Sequence, residues 1–102
     1  MTPQVLFSAA LASGLTNVVA PAGGKMQKAF LLLHNPGGTD LPVVLNLTKS
    51  GGGATNMTVT VPAGEMYHFP PFAPSAGFNT GDILKASEAT GVVVCWAFGI
   101  EN

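Results

Sequence analysis

The residues able to do chemistry in this chain are few. Two histidines (His34, His68), one cysteine (Cys95) and five carboxylates (Asp40, Glu65, Asp82, Glu88, Glu101) stand beside four lysines and no arginine. A histidine paired with a hydroxyl or thiol and a carboxylate could run nucleophilic catalysis, but no nucleophile-elbow sequence is present. Glu65 and His68 are three residues apart, and on a strand that spacing puts them on opposite faces. Asp82 lies in a turn without companion oxygen ligands, and no Cys/His cluster offers a zinc site. Gly51-Gly52-Gly53 lacks the Lys-Ser/Thr and helix that a phosphate loop needs. Cys95, between Val94 and Trp96, reads as a small buried hydrophobe and not as an activated thiol. The expectation is a non-enzymatic chain with no catalytic, metal-binding or cofactor-binding residue, its histidines structural or on the surface.

Charge narrows the partners. Charged residues make up 9% of the chain and the net charge is -1, against about 25% charged in an ordinary soluble domain. Lys25 and Lys28 are the only close basic pair, too little to neutralise a run of phosphates, so nucleic acid is not an expected partner. No apolar run approaches the roughly 20 residues of a membrane helix. The segment from Val5 to Ser13 loosely resembles a signal-peptide core, but no Lys or Arg precedes it, so a strand and turn are expected there. A single cysteine rules out an intrachain disulfide. A weakly charged surface on a chain that is 47% hydrophobic suits a molecule covered by partners.

The elements that must position these residues are strands. No window keeps a 3.6-residue period without interruption by Gly, Pro or β-branched residues. Strands are expected at 4–9, 16–20, 25–35, 42–49, 55–61, 65–69, 83–87 and 91–100. Explicit turn chemistry separates them, as in Pro21-Ala22-Gly23-Gly24 and Pro62-Ala63-Gly64. Val43, Leu45 and Leu47 alternate with Val44, Asn46 and Thr48. Met57, Val59 and Val61 alternate with Asn56, Thr58 and Thr60. These runs predict an antiparallel hairpin with one wet face, whose two Asn-x-Thr sequons need no glycosylation to explain them. Residues 1–102 thus read as one all-β domain, an antiparallel β-sandwich of about eight strands with jelly-roll or immunoglobulin-like topology.

The last strand is apolar on both sides. Its large residues (Val92, Val94, Trp96, Phe98, Ile100) are expected to fill the core. Its small ones (Val93, Cys95, Ala97, Gly99) would then form a shallow face open to close approach by a neighbour. Ala29-Phe30-Leu31-Leu32-Leu33 is likewise apolar throughout, so both strands should be central and covered. With Trp96 on the core side, an exposed aromatic platform for sugars is disfavoured. The loop holding Tyr67, Phe69, Pro70, Pro71, Phe72 and Phe78 is the candidate protein interface, because rigid aromatics and prolines lose little entropy on binding. Phe72 or Phe78 could instead plug the open end of the sandwich.

From Val18-Val19-Ala20-Pro21-Ala22-Gly23, through Leu33-His34-Asn35 and Val61-Pro62-Ala63-Gly64-Glu65, to Asn79-Thr80-Gly81-Asp82-Ile83 and the Val-rich last strand, the chain resembles small all-β accessory virion proteins of tailed bacteriophages. The resemblance implies a capsid decoration (cement) protein on the capsid exterior, binding the major capsid protein as a homo-oligomer, with a trimer expected from cyclic symmetry. A tail, neck or fibre module is the alternative within that class, and a carbohydrate-binding sandwich the alternative outside it.

Overall fold

Alternation along the chain becomes two stacked sheets. The computed structural model describes residues 2–101, and among them there is no helix. Nine strands form in chain order: β1 (Thr2–Ala10), β2 (Thr16–Val19), β3 (Gln27–His34), β4 (Leu41–Thr48), β5 (Ala54–Val61), β6 (Met66–Phe69), β7 (Ala76–Phe78), β8 (Ile83–Ser87) and β9 (Val94–Glu101). One sheet has the order β1-β9-β3-β6, with β7 also paired to β3; the other has the order β2-β8-β4-β5.

That order separates the two expected topologies. β1 pairs β9, β2 pairs β8, β3 pairs β6 and β4 pairs β5, all antiparallel. The chain is one long antiparallel ribbon, folded at the β4–β5 turn and rolled so that β9 meets β3 and β8 meets β4. This is the jelly-roll path, not the immunoglobulin one. The short β7 was not expected. Ala76-Gly77-Phe78 has no β-branched residue, and it is a strand because it pairs with Gln27, Lys28 and Ala29.

The β4–β5 hairpin falls where the alternation placed it, with Val43 opposite Val59 and Asn46 opposite Asn56. Its turn is closed by Lys49 N–H donating to the Gly53 carbonyl at 3.1 Å. Against this turn lies Gly81, at φ +90°, where a Cβ would come within 2.6 Å of the Ser50 Cβ. Only glycine accepts both that backbone and that contact.

The faces of β9 are the reverse of the expectation. Val93, Cys95 and Ala97 are fully buried between the sheets, while Val94, Trp96 and Phe98 are only half-buried, on the outside. The cause is the strand next door. Leu31 lies opposite Ala97 and Leu33 opposite Cys95, and both leucines are fully buried. With Val43, Leu45 and Val61 from the other sheet also buried there, the gap of about 10 Å between sheets is filled, and β9 contributes small residues beside large ones. At Gly99 even a methyl group is excluded: a Cβ would sit 2.8 Å from the Leu6 Cδ1 and 2.9 Å from the Lys28 carbonyl. Large residues on β9 therefore face away from the core.

Candidate functional site

The outward face of the β1-β9-β3-β6 sheet is apolar and aromatic. Its middle row runs Ser8, Trp96, Leu32, His68 across the strands. A neighbouring row places Val5, Phe98 and Phe30 side by side. Phe30 stacks on His68 with ring centroids 5.2 Å apart, packs against Phe98 at 5.4 Å, and Trp96 lies 6.5 Å from His34. His68 is held by its Nδ1–H donating to the Pro70 carbonyl at 2.9 Å. Val5 (60% exposed) and Ile100 (36%) are open to water at the end of this face. There a groove of about 580 Å³ is lined by Val5, Phe30, Phe98, Ile100 and, from the β6–β7 loop, Pro74. Among the described residues, Lys28 is the only charged side chain that lines it.

The aromatic-proline segment divides between two jobs. Phe78 is 4% exposed and belongs to the core, so as an interface candidate it is corrected to a plug. Tyr67 and Phe69 pack from β6 against the core, and Pro70 is half-buried. Pro71 is exposed, and Phe72 projects into solvent at 99% exposure. Expectation missed the outer rings of Phe30, Trp96 and Phe98. The signal was present in the doubly apolar alternation of β3 and β9, but it carries no label for inside and outside.

Cys95, Asp82, Glu88 and Asn35 are buried in the fold. Burial pushes the Cys95 thiol up to about 12, and a buried thiol that stays protonated is a poor nucleophile. Asp82 accepts from the Ser50 N–H (3.0 Å), the Asn79 N–H (3.0 Å) and the Lys49 Nζ (3.1 Å), which hold its carboxyl down to about 2. Glu88 is 2% exposed. Burial pushes its carboxyl up, but the Thr90 N–H and hydroxyl and the Val93 and Val92 N–H groups outweigh this and hold it at about 2. Asn35, fully buried, donates to the Thr39 and Val61 carbonyls at 2.7 and 2.9 Å and accepts from the Gly37 N–H at 3.0 Å. Among the described residues no group of three or more His, Cys, Asp or Glu side chains gathers to hold a metal.

No family model, curated protein or solved structure matches the chain.

Proposed function

We propose that this chain is a non-enzymatic structural protein of a virion, a capsid decoration protein that sits on the capsid exterior and binds the major capsid lattice as a homo-oligomer. The observation that carries the reading is the outward face of the β1-β9-β3-β6 sheet, with aromatic rings where a free-standing sheet would carry polar side chains. The 9% charge content agrees with it, since a lattice of apolar contacts needs few ions. Many copies on a repeating lattice add avidity to weak single contacts. The jelly roll is compatible as well, since virion and lectin domains share it, though a fold alone assigns no function.

The test is co-sedimentation with phage heads that lack the protein. Apolar docking should persist in roughly 1 M salt, where charge interactions are screened within about 3 Å. Failure to sediment with heads at any salt concentration overturns the proposal. Association with purified tails in place of heads would move the protein to the tail, neck or fibre class.

A second reading gains from one observation. Trp96 lies on the outward face near His34, where the sequence had placed it in the core, so the objection to a sugar-stacking platform falls. A glycan array on which the protein binds no sugar removes that reading.

A further inference from the structure

The chain carries a knob and, close to it in sequence, a hole. Phe72 is the knob, at 99% exposure touching almost nothing of its own chain. A fully exposed phenyl ring forgoes the burial that makes aromatics dominant at interfaces. The backbone that presents it, Pro70-Pro71-Phe72-Ala73-Pro74, has three of its five residues with φ locked by proline. The hole is the 580 Å³ groove lined by Val5, Phe30, Phe98 and Ile100. A cavity of about 150 Å³ already accepts a benzene ring. Pro74, two residues past Phe72, lines that groove, so at most about 7 Å of chain separates knob from hole.

We infer that the groove is occupied by Phe72 of a second copy of this chain, and that the second copy's groove receives Phe72 of the first. A knob this near its own hole is self-complementary, and two copies related by a two-fold axis satisfy both at once. The area is sufficient. Four strands and eight residues span about 19 by 26 Å, a patch of about 500 Å² per copy. Two copies together bury about 1,000 Å², the lower bound for a specific interface. Among the described residues the groove is lined by a single charged side chain, Lys28, so little charge must be desolvated when a phenyl ring enters. The inference rests on the self-association in the functional proposal, and it names the contact and a two-fold pair where cyclic symmetry had suggested a trimer.

Sedimentation velocity of the full chain over a concentration series tests it. The wild type should dimerise, and F72A should weaken dimerisation at least about 100-fold. V5K, at the exposed rim of the groove, should weaken it as well. An equimolar mixture of F72D and V5K should regain dimers, because the altered knob meets the altered groove while the other contact stays native. A wild type that remains monomeric at every concentration, or an F72A chain that dimerises as the wild type does, overturns the pairing. A monomer that still coats heads sinks this inference and leaves the decoration proposal standing. A dimer broken by F72A that never binds heads does the reverse.

Discussion

The two sheets have similar inner faces and opposite outer ones. Across the middle of the β2-β8-β4-β5 sheet the outward row is Asn17, Lys85, Asn46, Asn56. Across the other sheet it is Ser8, Trp96, Leu32, His68. In the first row Asn46 Nδ2–H donates to Asn56 Oδ1 at 2.7 Å, and Thr48 Oγ–H, two residues along β4, donates to Asn46 Oδ1 at 2.8 Å. The second buries rings against rings and still leaves apolar surface at its margins. A sheet with a polar outer row and a sheet with an aromatic one thus share one core. The difference lies wholly in the residues at alternate positions, so adjacent positions on one strand should fail in different ways when changed.

Ala97 and Phe98 make the sharpest pair. Ala97→Asp would place an unpaired carboxylate at a fully buried site beside Leu31. We expect a loss of about 4 kcal/mol or more, and a chain that does not fold by circular dichroism. Phe98→Asp, one residue on, faces outward. It should give a folded chain whose self-association and head binding fall about 100-fold, equal to about 2.7 kcal/mol. If A97D folded and F98D did not, the assignment of inner and outer faces on β9 would be wrong.

How much of this was legible follows from the same strand. The hairpin of β4 and β5 could be read because polar residues label one of its faces, Asn46 and Thr48 against Val43 and Leu45. β9 has no such label. Period two separates Cys95 and Ala97 from Trp96 and Phe98, but the side that faces the core is set by the leucines of β3 and by the opposite sheet, neighbours far away in the chain. Phe72 and Phe78 could not be told apart for a similar reason: only the pairing of Phe78 with Gln27 on β3 draws it inward. Asp82 was visible as a turn acid, but its burial depends on Ser50 and Lys49, more than thirty residues away.

Acid should test what the two sheets hold in common. Asp82 and Glu88 flank β8 at its two ends. Glu88, through the Val92 and Val93 N–H groups, ties that strand to the entry of β9 in the other sheet. Both carboxyls titrate at about 2 when folded, below their ordinary 3.8 and 4.5. Their stabilisation is complete above pH 4.5 and is lost as the pH falls through the folded values near 2. The melting temperature should therefore drop across that window and stay level from pH 5 to 7. Asp82→Asn and Glu88→Gln should each flatten the drop while lowering the plateau. A melting temperature that holds down to pH 2 would mean that neither carboxylate braces the ends of the sheets.

The smallest effect belongs to the wet face. Asn46→Ala removes the 2.7 Å bond to Asn56 and the 2.8 Å bond from Thr48. Asn56 and Thr48 both have access to water, so neither is stranded when its partner goes. The cost should be about 1 kcal/mol, far below that of an orphaned buried group. Urea titration should show a lower midpoint with an unchanged slope, the sign of lost stability without a looser fold. Self-association should not move, because Asn46 points away from the aromatic face. A dimer weakened by N46A would place the contact surface on both sheets, and the contrast between a face for water and a face for a partner would no longer hold.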